Sequence, residues 1–259
     1  MILEDIIEKR KIQLEREKQN IPFYEVKKAA EKIDTPCKDF YKALKKNKLS
    51  VISEVKKASP SKSVIREDFN PAEIAVSYEN AGADAVSCLT EEYYFKGSSS
   101  YLREIRKKIN LPILRKDFIF DEYQIYEART LGADAVLLIA AALDTDTMKN
   151  FSAIAESLNM NCLFEAHNEE EIEKILCCSP KIIGINNRNL KTFEVSLKNT
   201  QILAEKIPSE CVIVSESGIA SNDDMKFVRQ CGADAVLIGE TLMRSNDISG
   251  TLQALREGV

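Results

Sequence analysis

Apolar and polar positions are patterned in two different ways along this chain, and the change comes near residue 48. Over residues 2–19, Ile2, Leu3, Ile6, Ile7 and Leu14 recur close to helical spacing among many charges, which predicts an amphipathic helix. Pro22 ends it, and further helical stretches are expected from about Glu25 to Ile33 and from about Lys38 to Lys46. From Leu49 onward short apolar runs alternate with helical segments. Strands are predicted near 51–56, 84–89, 112–116, 134–139, 160–165, 181–186, 211–215 and 234–238. The helices between them open on capping residues: Asn70 before Pro71 and Glu73, Asp121 with Gln124, Asn168 with Glu171, and Ser221 with Asp224.

A repeat fixes the order of these units. Gly-Ala-Asp-Ala-Val occurs at 82–86, 132–136 and 232–236, at spacings of 50 and 100 residues. Each copy joins a helix-ending glycine to the start of a strand, and fifty residues is two βα units, so the copies mark strands two, four and eight. The sixth strand has a variant start, Ser179-Pro180-Lys181. Eight βα units with such a repeat predict a single α/β domain, a (β/α)8 TIM barrel over 48–259, with an N-terminal helical extension over 1–47 packed on it. That extension serves either as a cap on the barrel or as a lid over its mouth. A doubly wound sheet would be expected to show a Gly-rich turn after its first strand, and none is present.

Composition narrows the function classes. At 259 residues and 44% hydrophobic the chain suits one large domain. A net charge of −5 without a long basic block argues against nucleic acid. No apolar run reaches membrane-spanning length, and charge from Glu4 onward does not fit a secretory signal. Seven cysteines without CxxC spacing read as reduced residues of a cytoplasmic protein, with Cys177-Cys178 at a helix end. A single histidine, His167, excludes His-rich metal sites, and no GxSxG elbow accompanies it. No metal is expected.

In a barrel, residues leaving the strands' C-terminal ends share one mouth. Strand one offers Glu54 and Lys56, two apart and therefore on one side, followed by Ser59. Strand three ends on Lys116, strand five on Glu165 and His167, and strand six on Asn186 and Arg188. Strands seven and eight give Glu216-Ser217-Gly218 and Gly239-Glu240. Buried charges add little net stability, so their convergence from five strands points to chemistry. Ser217-Gly218 and Gly239 have the layout of a barrel phosphate site, with Arg188 and Lys56 able to neutralise the anion. A phosphorylated small molecule handled by lysine–glutamate acid–base chemistry is the expectation.

Four stretches carry a resemblance. Ile52-Ser53-Glu54-Val55-Lys56-Lys57-Ala58-Ser59-Pro60-Ser61-Lys62, Pro112-Ile113-Leu114-Arg115-Lys116-Asp117-Phe118, Gly184-Ile185-Asn186-Asn187-Arg188-Asn189-Leu190 and Ser215-Glu216-Ser217-Gly218-Ile219 resemble indole-3-glycerol-phosphate synthase of tryptophan biosynthesis. The likeness spans nearly the whole chain, helical extension included. It implies a lyase that closes the ring of 1-(2-carboxyphenylamino)-1-deoxyribulose 5-phosphate, releasing CO₂ and then water, without a redox or organic cofactor. Lys116 resembles the general acid at the ketone oxygen, and Glu165 the base of the dehydration. Glu54 is similar to the supporting carboxylate, and Lys56 to the residue that neutralises substrate anions. Asn186 would hold a carboxylate or hydroxyl. Ser59, Arg188, Glu216, Ser217, Gly218, Gly239 and Glu240 match the substrate and phosphate positions. A monomer or weak homo-oligomer is expected, with no membrane and no nucleic-acid partner.

Three positions depart from the family pattern. Ser63 stands where glycine is usual, Asn168 replaces a frequent Asp, and Glu240 puts a carboxylate beside the phosphate position. The substrate's aromatic amine needs an apolar slot, for which Phe95, Phe118, Leu137, Leu138 and Ile139 are candidates, and His167 reads as structural. Competing readings are a phosphosugar isomerase, a silent barrel that senses a phosphorylated metabolite, and a scaffold acting through the N-terminal helices. An isomerase would more typically carry Cys or Asp at strand one, and the other two leave the acid and base candidates unused.

Overall fold

The computed structural model describes residues 2–60 and 62–259; Met1 and Ser61 lie outside that range. Three helices come first: α1 (Ile2–Asn20), α2 (Phe23–Glu31) and α3 (Phe40–Leu44). Helix α2 starts two residues earlier than the periodicity suggests, because Pro22 stands just before it with φ −59°, already set for helix entry. Helix α3 is shorter than predicted: Asp39 caps it by accepting from Lys42 N, which fixes its start at Phe40.

The barrel strands are β1 (Ser50–Val55), β2 (Ala85–Leu89), β3 (Ile113–Lys116), β4 (Ala135–Ile139), β5 (Asn161–Ala166), β6 (Ile182–Asn186), β7 (Val212–Glu216) and β8 (Ala235–Ile238). All pair in parallel with their neighbours, and β8 closes on β1, with Ser50 opposite Ala235. Helices α4 (Pro71–Asn80), α5 (Ser99–Arg106), α6 (Glu122–Leu131), α7 (Thr145–Ser157), α8 (Glu169–Leu176), α9 (Lys198–Ala204), α10 (Asn222–Gln230), α11 (Glu240–Arg244) and α12 (Ile248–Arg256) follow in turn. The eight-stranded barrel and its helical extension are therefore both present.

The repeat has a physical reason in each copy. Gly82, Gly132 and Gly232 take φ of +85°, +91° and +95°, which ends the preceding helix in the left-handed region. The following aspartate then accepts a backbone N–H from the adjacent strand. Val51 donates to Asp84 at 2.9 Å, Ile113 to Asp134 at 2.8 Å and Ile213 to Asp234 at 3.0 Å. The same aspartates hold the extension against the barrel's N-terminal end, through Lys46 on Asp84, the Lys38 amide on Asp134 and Lys45 on Asp234. Phe40 and Leu44 enter there and join Ile52, Leu114, Leu137, Leu163, Val214 and Leu237 in the barrel interior. A second, larger apolar layer lies between the strands and the outer helices.

Helix α1 goes to the opposite end. Arg10 is fully buried and pairs with Asp117, just past β3, through Nε at 2.9 Å, and with Glu17 through Nη1 at 2.9 Å. Asp117 also accepts from Arg115 at 3.0 Å and Thr90 at 2.8 Å. Each of these charges has an oppositely charged partner, which buried charge requires. In the extension, α3 plugs one end of the barrel, and Ile2, Leu3 and Ile6 of α1 help wall the mouth at the other.

Candidate active site

The mouth is a cavity of about 900 Å³ at the C-terminal ends of the strands, within the usual size for a small-molecule site. It brings together Glu54, Lys56, Ser59, Lys116, Glu165, Asn186, Arg188, Glu216, Ser217, Gly218, Gly239 and Glu240.

Lys116 is the centre. Its Nζ lies 2.7 Å from Glu165 Oε2 and 3.1 Å from Glu216 Oε2. Burial alone would favour the neutral amine, but Glu165, Glu216 and Glu54 together outweigh it and push the lysine pKa far above its ordinary value. The two carboxylates then part ways. Burial pushes Glu165 upward, yet Lys116 and His167 overcome it and bring the group down to about 2. Glu216 is raised by burial against the pull of Lys116, with Glu165's charge adding to the rise, and it reaches about 7. The three groups titrate as one unit: a charged lysine, an ionised Glu165 and a Glu216 that exchanges its proton near neutrality. Glu216, grouped from sequence with the substrate and phosphate contacts, here sits on the lysine.

Glu54 and Lys56 leave β1 as an ion pair at 2.5 Å. Two glycines make room for these carboxylates. A Cβ on Gly239 would lie 2.2 Å from Glu54 Oε2, and one on Gly184 would lie 2.1 Å from Glu216 Oε1. Gly239 therefore has a packing reason beside any contact with an anion. Asn186 donates to Glu165 Oε1 at 3.3 Å and accepts from the Arg188 amide at 3.0 Å. Arg188 donates to the Phe193 carbonyl at 3.3 Å, which sets its guanidinium along the cavity wall.

After β7, Ser217 and Gly218 both take positive φ, +68° and +90°. For serine this is a strained conformation of the kind found at binding turns. Asn187, buried, holds the turn by donating to Ser217 O at 3.1 Å and Ser215 Oγ at 2.9 Å. Beside it, α11 begins at Gly239 with no side-chain cap, so its first amides have no capping partner. Glu240 turns its carboxylate back along α11 to Arg244, 3.0 Å away. Ser63 takes φ +51°, the left-handed conformation a glycine would adopt at no cost.

Among the apolar candidates, Phe95, Phe118, Leu137 and Ile139 line the cavity, with the two phenylalanine rings 6.0 Å apart. Leu138 does not. It points outward into the layer beneath the helices, because alternation along β4 puts it on the opposite face from Leu137 and Ile139. Sequence reasoning gave Asn187 and Arg10 no place near the site. Asn187 stands inside the Gly184–Leu190 stretch without a role of its own, because that role depends on a turn thirty residues on, at Ser217. Arg10 looked like one more charge on a polar helix face.

The closed barrel and the lysine–carboxylate cluster at its mouth define the class: a (β/α)8 barrel with its charged groups gathered at the C-terminal ends of the strands. The fold is shared with N-acetylmannosamine-6-phosphate 2-epimerase from Clostridium perfringens, with a TM-score of 0.64 over 82% of this chain and 94% of that one, at 11% identity. The sequence is more specific. The family model for indole-3-glycerol phosphate synthase matches residues 3–255. The indole-3-glycerol phosphate synthase of Acetivibrio thermocellus is 49% identical over 259 residues, covering 99% of each chain. That of Neisseria meningitidis serogroup B is 52% identical over 206 residues, 80% of this chain and 79% of the relative. The chain belongs to the indole-3-glycerol phosphate synthase family, carboxy-lyases of tryptophan biosynthesis.

Proposed function

We propose that this mouth converts 1-(2-carboxyphenylamino)-1-deoxyribulose 5-phosphate to indole-3-glycerol phosphate, CO₂ and water by lysine–glutamate catalysis. The observation that carries the reading is the single lysine held between two carboxylates of opposite pKa shift. Lys116 protonates the ketone oxygen as the ring carbon attacks. Held by both glutamates it is a poor acid; it becomes a better one when the ketone oxygen replaces Glu216, the longer of its two contacts. Glu165, ionised, takes the proton lost in the dehydration. Lys56, oriented by Glu54, neutralises the substrate's anionic groups, and Asn186 holds a carboxylate or hydroxyl. Ser59, Arg188, Ser217, Gly218, Gly239 and the backbone at Glu240 receive the phosphate. Phe95, Phe118, Leu137 and Ile139 form the slot for the aromatic amine. Residues 1–47 act as an extension of one domain whose barrel runs over 48–259, and the enzyme works in the cytoplasm as a monomer or weak homo-oligomer.

The test is turnover of that substrate, followed by indole fluorescence and CO₂ release. The chain has no Trp, so its own background is low. Glu165→Gln should lower turnover by about 10²-fold or more with the fold intact. Near-normal turnover in that variant would remove Glu165 from the mechanism.

A further inference from the structure

Two of the residues assigned to the aromatic slot are phenylalanines, and each is held by a buried carboxylate on its own backbone amide. Phe118 donates to Asp117 Oδ1 at 2.8 Å, and Asp117 is neutralised by Arg10 and Arg115. Phe95 donates to Glu91 Oε2 at 2.9 Å. Glu91 is fully buried just past β2, where backbone amides supply its hydrogen bonds. Tyr94 shares the same oxygen at 2.8 Å, and Tyr93 donates to Oε1 at 2.8 Å. Three consecutive N–H groups converging on one anion form a nest, which fixes the backbone that carries them.

The rest of this loop has little slack. The Gly97 amide donates to the Glu91 carbonyl at 2.7 Å, and a Cβ on Gly97 would lie 2.5 Å from Leu89 O, so the chain closes tightly on itself. Lys96, immediately after Phe95, takes φ +51°, a costly conformation for a lysine. The Phe95 carbonyl accepts from Ala58 N at 3.3 Å. Gln13 of α1 grips the start of the loop, donating to the Thr90 carbonyl at 3.3 Å and accepting from the Glu92 amide at 3.2 Å. What this brace delivers to the cavity is one side chain: Phe95 lines it, whereas Glu91, Tyr93 and Tyr94 do not. A buried carboxylate adds little net stability, so its use here points to orientation rather than to holding a surface loop in place.

We propose that Glu91 is a positioning residue for the aryl end of the substrate: by gathering the amides of Tyr93, Tyr94 and Phe95 it sets the Phe95 ring against that of Phe118, and so fixes the apolar wall on which the aryl ring packs. The inference rests on the assignment of Phe95 to that slot. With the amide and carbonyl of Phe95 both held, the direction of its Cα–Cβ bond is fixed, and the ring centroids stand 6.0 Å apart. Glu91 itself touches no substrate, because both of its oxygens are taken by the loop. Glutamine cannot replace it. An amide has one accepting oxygen, so at least one of the three N–H groups would face an NH₂ group. Aspartate keeps both oxygens but is one methylene short.

Equilibrium binding of two fragments reads the ends of the site apart: 2-(methylamino)benzoate for the aryl end, followed by its own fluorescence, and glycerol 3-phosphate for the phosphate end, followed by calorimetry. Glu91→Gln should weaken the benzoate by about tenfold and glycerol 3-phosphate by less than about twofold. Glu91→Asp should recover part of this, leaving a loss of about threefold on the benzoate alone. Phe95→Leu should also weaken the benzoate, and adding Glu91→Gln to it should cost nothing more, because both substitutions remove the same wall. Equal weakening of the two fragments in Glu91→Gln would make Glu91 a general support of the fold and overturn the proposal. Unchanged benzoate binding in that variant would overturn it too, as would losses that multiply to about a hundredfold in the double variant. If Glu91→Gln does not fold, Glu91→Asp, alone and with Phe95→Leu, decides by the same pattern. Unchanged benzoate binding in Phe95→Leu would instead sink the slot assignment, and the proposal with it.

Discussion

Replacing Lys116 by methionine should reverse how stability depends on pH. In the wild type, Glu165 is lowered from 4.5 to about 2 chiefly because Lys116 overcomes its burial. A lowered carboxylate contributes stability that is present above its unfolded pKa and is lost as pH falls through the folded value. The shift corresponds to about 3 kcal/mol at neutral pH. In Lys116→Met the methionine fills similar space without charge, leaving Glu165 and Glu216 buried beside one another. Both carboxyls are then raised, so their contribution is greatest below the unfolded pKa and is lost as pH rises through the folded values. Removing one partner of a buried cluster costs about 3–5 kcal/mol. That loss should be largest near about pH 8 and shrink to about 1 kcal/mol near about pH 5. Urea unfolding followed by far-ultraviolet circular dichroism at the two pH values measures it. Turnover should fall at least about 10²-fold throughout. A penalty that is the same at both pH values would refute the reasoning, because it would mean that the lysine does not set the charge of the two glutamates.

Two further substitutions test the geometry around that centre. Gly239→Ala places a methyl 2.2 Å from Glu54 Oε2, so it should disturb the Glu54–Lys56 pair and lower kcat/KM by about tenfold or more, even with substrate truncated at the phosphate end; a loss confined to phosphate-bearing substrate would leave Gly239 a phosphate contact alone. Arg10→Met leaves Asp117 with Arg115 and Thr90 but removes α1's buried anchor, and should destabilise the fold by about 3 kcal/mol in urea unfolding; a change under about 0.5 kcal/mol would show that α1 is held by its apolar face instead.

Much of this protein is legible in one dimension because its governing rules are local. Strand and helix periods, capping residues and the repeated Gly-Ala-Asp-Ala-Val set the unit count, and eight parallel units with right-handed crossovers close only one way. Once they close, residues at strand ends must share a mouth, so the sequence alone gathers Glu54, Lys56, Lys116, Glu165 and Asn186. The tertiary structure decided everything that depends on distance across the barrel. The outward turn of Leu138, the descent of α3 into one end and the anchoring of α1 at the other are packing outcomes. So is the split between Glu165 and Glu216, two carboxylates alike in sequence whose charges differ because one lysine and one histidine stand nearer to the first. The 3.3 Å approach of a His167 ring nitrogen to Glu165 Oε1 is likewise a fact of three dimensions, since electrostatic energy is set by separation in space and not by separation along the chain.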